Sequence, residues 1–150
     1  MFHNDNTFVE LRGAYTARTK LHNVHNAAEK ERVEGAGGTF ANGRIFGKLE
    51  PTRSFGDWDI QRLREGVLIA VPEVTSHRIQ PTMGASFMVL GSDGLWGGVS
   101  ESKLMSVVRT EHARKKKPER KPLRIAEALA QEAVRGGSGD DVTALVVLFS

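Results

Sequence analysis

The chain of 150 residues is 39% hydrophobic and 26% charged, and it contains no cysteine. These values are typical of a single globular domain, and they exclude disulfides, zinc–thiolate sites and a cysteine nucleophile. No apolar run approaches the roughly 18 residues of a membrane-spanning helix, and the N-terminus lacks the charged and apolar stretches of a signal peptide. We therefore expect a cytosolic or nuclear protein that does not enter a membrane.

The net charge of +3 comes from one short segment. Residues 113–122 hold six basic groups and one acidic group, a local charge of +5, so the remaining 140 residues sum to −2. The segment has no aromatic side chains that could stack on bases, and it is punctuated by prolines. We predict a solvated loop there, and no nucleic-acid partner.

The N-terminal part predicts a hairpin followed by a helix. Residues 7–11 alternate between apolar and polar side chains, which predicts a strand, and residues 14–19 could form its hairpin partner. Asn26 is a typical helix N-cap, and Glu29 follows it at the spacing of a capping box. The glycine-rich residues 35–38 should end this helix.

The middle of the chain is rich in turns. Asn42–Gly43 predicts a tight hairpin between two short strands. Residues 49–61 mix polar, aromatic and turn residues without a clear period, as functional loops often do. Two further strands are predicted, at residues 67–71 and 74–79.

The C-terminal half predicts two strands and two helices. Residues 87–90 predict a short apolar strand, and Ser100 is the expected N-cap of a helix of about ten residues. Residues 123–134 predict a last helix ended by glycines, and residues 142–149 predict the most apolar strand. Many short strands with a few helices indicate an α+β fold with mostly antiparallel sheets.

Two groups of aspartates stand next to predicted strands. Asp93 follows the strand at 87–90, and Asp140 and Asp141 precede the strand at 142–149. If these strands are antiparallel neighbours, the carboxylates meet at one end of the sheet, where they could hold a hard cation. Asp-Gly is also a common turn dipeptide, so a plain turn at Asp93 is the alternative.

Five segments in register resemble the C-terminal half of the metal-dependent, type 2C serine/threonine protein phosphatases. The segments lie at residues 29–38, 49–57, 71–74, 87–96 and 137–143, and the resemblance covers about residues 22–149. It implies part of a layered α-β-β-α sandwich, with the N-terminal part of the domain missing from residues 1–150. A domain cut in this way would expose a sheet face, which predicts self-association.

The resemblance also implies a function. Members of the family hydrolyse phosphoserine and phosphothreonine in phosphoproteins, using a water that bridges two Mg²⁺ or Mn²⁺ ions, and no side chain attacks the substrate. By motif match, Asp93 and Asp140 are metal ligands. The residues expected to support the site are Asp141, Gly94, Ser138, Arg53 and Asp57, the last two by ion pairing in the loop.

Several departures from the family pattern leave a second hypothesis open. The D-G-H-G-G motif and the arginine that binds the substrate phosphate have no counterpart, so the chain alone is expected to be inactive or nearly so. Val24 and Gly97 stand where the family often has aspartates that bind an additional metal. The alternative is a phosphatase-like pseudoenzyme that acts as a protein-interaction module. Retention of Asp93 and Asp140 argues against it, because we expect buried carboxylates to be lost once no cation neutralises them, since an unpaired buried charge is costly.

Overall fold

The computed structural model describes residues 6–11, 15–76, 86–115 and 120–149. The described residues form two compact units, one made of residues 20–76 and the other made of the described residues of 6–19 and 86–149. In chain order the elements are β1 (Asn6–Leu11), β2 (Tyr15–Arg18), α1 (Ala27–Gly35), β3 (Phe40–Ala41), β4 (Arg44–Ile45), α2 (Trp58–Gln61), β5 (Ser86–Gly91), α3 (Asp93–Gly98), α4 (Glu101–Ala113), α5 (Lys121–Arg135) and β6 (Ala144–Phe149).

The first unit is built around helix α1 and the hairpin β3–β4. Asn26 caps α1 as predicted, its side chain accepting a hydrogen bond from the Ala28 N–H at 3.2 Å. Asn42 and Gly43 turn the hairpin with positive φ angles of 51° and 76°, which asparagine and glycine tolerate best. The core of this unit is aliphatic: Val33, Ile45, Leu49, Ile60, Val67 and Leu68.

The second unit is a four-stranded antiparallel sheet with helices packed on it. The strand order is β2-β1-β5-β6, and β5 lies between β1 and β6. Alternate residues of β5, Phe87 and Val89, are buried in one core with apolar side chains of α3, α4 and α5. The predicted α+β class with antiparallel sheets is confirmed.

The two strands predicted at 67–71 and 74–79 are not formed in the described part of that region. Ile69 makes only an isolated bridge with Arg53, and residues 77–79 lie outside the described residues. Residues 67–68 are apolar because they are buried in the core of the first unit, and not because they pair with a strand. The carbonyl groups of Gly66 and Val67 accept hydrogen bonds from Arg32 Nη1, at 3.0 and 3.1 Å, and not from a partner strand.

Other boundaries also differ from the prediction. Helix α4 extends to Ala113 and α5 begins at Lys121, so part of the predicted basic loop is helical, and residues 116–119 are outside the described residues. Strand β6 begins at Ala144 and not at residue 142. The Asp-Gly dipeptide at 93–94 opens a helical turn, α3, with Ser92 as its N-cap.

Candidate metal centre

The predicted metal ligands lie at one end of the sheet in the second unit. Strands β5 and β6 are antiparallel neighbours, and Gly91 at the end of β5 is paired with Ala144 at the start of β6. Asp93 follows the first of these residues and Asp140 precedes the second. The expectation that the two strands are antiparallel is therefore confirmed, and it brings both aspartate-bearing segments to the same sheet end.

The two carboxylates have matching local geometry. Asp93 Oδ1 accepts a hydrogen bond from the Gly94 N–H at 3.0 Å, and Asp140 Oδ1 accepts one from the Asp141 N–H at 2.8 Å. In each case the bond fixes one oxygen close to the backbone. Among the described residues, no hydrogen bond to the other oxygen of either carboxylate is found.

Both aspartates are exposed, as is Asp141. The expectation that burial would have removed these carboxylates from a chain without a bound cation was therefore wrong in its premise. An exposed carboxylate is hydrated and can persist without a counter-ion. Retention of Asp93 and Asp140 thus does not by itself separate a phosphatase from an interaction module.

The two segments are joined through Ser92, a residue that the sequence did not single out. The Ser92 N–H donates to the Thr143 oxygen at 3.1 Å, and the Thr143 N–H donates to Ser92 Oγ at 3.0 Å. Ser92 Oγ in turn donates to the Asp141 oxygen at 3.1 Å. These three bonds connect the start of α3 to the segment that follows Asp140.

Two of the predicted supporting residues, Gly94 and Ser138, lie against the backbone of Asp140 and Asp141. A Cβ atom built on Gly94 would overlap the carbonyl oxygen of Asp141, so only glycine allows this close approach. The Ser138 hydroxyl lies 3.4 Å from the Asp140 oxygen and 3.5 Å from the Asp140 nitrogen. Those distances are long for hydrogen bonds, so Ser138 contributes less to the geometry than Ser92 does.

The other two predicted supporting residues, Arg53 and Asp57, belong to the first unit. They do not pair with each other. Arg53 forms its ion pair with Glu29, whereas Asp57 accepts a hydrogen bond from the Ser54 hydroxyl. The prediction of ion pairing thus holds for Arg53, with a partner that was not foreseen. Whether these residues support the metal site stays a prediction.

Glu29 lies at the centre of a buried polar cluster. From its spacing to Asn26, the sequence predicts only that it belongs to a capping box. Its carboxylate accepts hydrogen bonds from Thr52 Oγ1 at 2.6 Å, from Arg32 Nη2 at 3.0 Å and from Arg53 Nε at 3.1 Å. Burial alone would raise the pKa of Glu29, but the bonds from Arg53, Thr52 and Arg32 outweigh it and lower that pKa to about 2. The carboxylate is therefore charged, and both of its oxygens accept hydrogen bonds from side chains of the first unit.

The donor atoms around Asp93 and Asp140 are oxygens, which suit a hard cation, but they are few. Carboxylate and carbonyl oxygens are the ligands that Mg²⁺ and Mn²⁺ prefer. Within the described ranges, no group of three or more His, Cys, Asp or Glu side chains is placed to hold a metal ion. Asp93 and Asp140 would thus supply two carboxylates, and further ligands would have to come from elsewhere.

Of the helices that the structure describes, none combines the length and apolar character needed to cross a membrane.

Comparison with known proteins extends the resemblance. The family model described as protein phosphatase 2C matches residues 3–142, which begins earlier than the residue 22 suggested by the motifs. A probable protein phosphatase 2C 27 from Oryza sativa subsp. japonica is 33% identical over 92% of this chain. A protein of the same description from Arabidopsis thaliana is 30% identical over 93% of this chain. The chain spans only 39% and 36% of these two relatives.

Solved structures agree on the fold. A C. elegans sex determining protein matches 97% of this chain and 35% of its own chain, with a TM-score of 0.78 and 23% identity. A phosphatase from Toxoplasma gondii matches 97% of this chain and 42% of its own, with a TM-score of 0.75 and 24% identity. At this level of identity the likeness concerns the fold alone. The match of the family model to most of the sequence shows more: the chain belongs to the protein phosphatase 2C family.

Proposed function

We propose that this chain supplies the C-terminal part of a metal-dependent catalytic domain that hydrolyses phosphoserine and phosphothreonine in proteins. It would become catalytic when it is completed by the N-terminal part of such a domain. The observation that carries the proposal is the antiparallel pairing of β5 and β6, with Asp93 and Asp140 at the same sheet end.

In the proposed reaction Asp93 and Asp140 bind the cations through their carboxylates. Their Oδ1 atoms are held by the N–H groups of Gly94 and Asp141, which orients each carboxylate before a metal arrives. When bound, a pair of Mg²⁺ or Mn²⁺ ions supplies an activated water and neutralises the phosphoryl oxygens. Asp141 and Gly94 would support the site through the backbone, and no side chain of this chain is proposed as a nucleophile.

A second candidate function is a phosphatase-like pseudoenzyme that binds protein partners. It is favoured by Val24 and Gly97, which stand where family members often carry metal-binding aspartates, and the exposure of Asp93 and Asp140 is compatible with it. In this case the surface of the fold would bind the protein partner, and no metal would be needed.

Titration of the chain with Mn²⁺ in a calorimeter separates the two candidates. We expect binding with a Kd on the order of millimolar, because only part of the ligand set is present. The double variant Asp93→Ala/Asp140→Ala should not bind. The matched control is Glu31→Ala/Asp59→Ala, which removes two exposed carboxylates from the first unit and should bind like the wild type.

An activity test follows from the same variants. The chain is mixed with the separately produced N-terminal part of a family member, and release of phosphate from a phosphothreonine peptide is measured with Mn²⁺. We expect activity for the wild type and the control variant only. If the wild type and the Asp93→Ala/Asp140→Ala variant bind Mn²⁺ alike, the phosphatase proposal fails and the interaction module becomes the better account.

The proposed partners are a phosphoprotein substrate and a second copy of the chain through an exposed sheet face. No nucleic-acid partner is proposed. A cytosolic or nuclear location is kept as part of the proposal, and imaging of the tagged protein would test it.

A further inference from the structure

The Ser92 hydroxyl is both a donor and an acceptor between the two segments that carry the aspartates. It accepts from the Thr143 N–H at 3.0 Å and donates to the Asp141 oxygen at 3.1 Å. The backbone N–H of the same residue donates to the Thr143 oxygen at 3.1 Å. One residue thus makes three bonds to the segment that follows Asp140.

These bonds bear directly on the distance between Asp93 and Asp140. Ser92 immediately precedes Asp93, and the residues that it bonds, Asp141 and Thr143, lie one and three positions after Asp140. Gly94 makes a second contact between the two segments, because its backbone lies against the Asp141 carbonyl group. The two aspartates are therefore coupled through Ser92 and Gly94 rather than through contacts of their own.

We propose that Ser92 is a positioning residue that sets the separation of Asp93 and Asp140 and thereby the affinity of the site for Mg²⁺ or Mn²⁺. This inference rests on the proposed function, because it assumes that the two aspartates bind metal. A hydroxyl is needed because the site uses a donor and an acceptor on one atom, which an alanine cannot replace. Partners that orient metal ligands typically change metal affinity by about 10–100-fold when they are removed.

The competing account is that Ser92 only stabilises the fold, as the N-cap of α3. The chain provides a matched control for this account in Ser100, the N-cap of α4 in the same unit. The Ser100 hydroxyl accepts from the Lys103 N–H at 3.3 Å and makes no bond to the aspartate segments. The Ser92 hydroxyl makes no capping bond within α3, and its bonds go to the backbone of Asp141 and Thr143. Comparing the two serines therefore separates loss of a helix cap from loss of the bonds between the two aspartate-bearing segments.

The experiment measures Mn²⁺ affinity by calorimetry and the thermal midpoint of the apo chain, for the wild type, Ser92→Ala, Ser92→Thr and Ser100→Ala. We expect Ser92→Ala to weaken Mn²⁺ binding about tenfold or more. Ser100→Ala should lower the thermal midpoint without changing the affinity. Ser92→Thr keeps the hydroxyl, and the extended backbone at this residue (φ −67°, ψ 168°) accepts a β-branched side chain, so binding should be restored.

A readout without metal completes the test. In the apo chain, the Thr143 amide should exchange its hydrogen faster in Ser92→Ala than in the wild type, because its acceptor is gone. Unchanged exchange would contradict the proposal, and so would Mn²⁺ affinity within twofold of the wild type. An equal loss of affinity in Ser92→Ala and Ser100→Ala would show a general effect on the fold and would also overturn it.

The outcome also separates this inference from the function on which it rests. If Asp93→Ala/Asp140→Ala abolishes binding while Ser92→Ala does not weaken it, the positioning role fails and the metal site stands. If the wild type binds no better than Asp93→Ala/Asp140→Ala, the metal site fails and the role of Ser92 fails with it.

Discussion

The Glu29 carboxylate accepts hydrogen bonds from three side chains within the first unit, and two of them are arginines. Replacing it by Gln should lower the free energy of unfolding by on the order of 2–4 kcal/mol, because Arg32 and Arg53 would lose their carboxylate partner in a partly buried place. Urea unfolding measures this change. Glu31→Gln, on the exposed part of the same helix, is the control and should change stability by less than about 0.5 kcal/mol.

The same substitution has a characteristic pH dependence. The pKa of Glu29 is lowered from 4.5 to about 2 in the folded chain, so its charge stabilises the fold fully above pH 4.5. This contribution is lost as the pH falls from about 4.5 towards 2, because over that range the unfolded state binds a proton at Glu29 while the folded state does not. The stability difference between wild type and Glu29→Gln should therefore shrink over this range. A difference that stays constant down to pH 2 would contradict the role given to the carboxylate.

Sequence reasoning could find Glu29 but not its role. The Asn26–Glu29 spacing is local and correctly marked the start of a helix, yet the partners of the carboxylate lie 23 and 24 residues further along the chain. Patterns of nearby residues carry no information on such contacts. The same holds for Ser92, whose bonds reach residues 49 and 51 positions away. The aspartates were found because they belong to motifs.

At the scale of elements, α3 and α5 touch through their backbones. A Cβ atom on Gly98 would overlap the carbonyl oxygen of Ala133, and one on Gly136 would overlap that of Gly98. Gly98→Ala should therefore lower the stability of the chain by about 2 kcal/mol or more, since backbone atoms cannot move aside as a flexible side chain can.

The neighbouring glycine provides the control for this prediction. Gly97 lies in the same helix, and a Cβ atom there would meet nothing within 4 Å. Gly97→Ala should leave stability unchanged or raise it by up to about 1 kcal/mol through better helix propensity. Thermal melting compares the two variants. Equal melting temperatures would show that α3 can shift away from α5 at little cost.

Elements with a clear period or cap were predicted well, and those without one were not. Strand β5 and helices α1, α4 and α5 were predicted close to their observed bounds. Helix α3 was missed because Asp93–Gly94 looks like a turn, and three glycines in six residues weaken any helical pattern. The strands expected between residues 67 and 79 failed because an apolar run indicates burial and does not reveal whether a partner strand exists.

At the scale of the whole molecule, we expect the chain to self-associate through the second unit. Leu145 is on the face of β6 opposite the buried Phe87–Val89 face, and 52% of its surface is exposed. Leu145→Glu should lower the apparent mass in sedimentation velocity at high protein concentration, because a charge would replace apolar contact. Val134→Glu, on the exposed side of α5, is the control. Equal masses for the wild type and Leu145→Glu would rule out this face.

The order of strands in the second unit has a consequence for how the chain is made. Strand β1 pairs with β5, as in Thr7 with Leu90, so its partner is about 80 residues further along. At about 5–20 residues per second, a ribosome takes roughly 4–16 s to reach it. During that time the whole first unit is synthesised. The edge of β1 that will pair with β5 meanwhile has unpaired backbone groups, which another nascent chain could bind. Recovery of folded protein should thus depend on the crowding of ribosomes along the messenger.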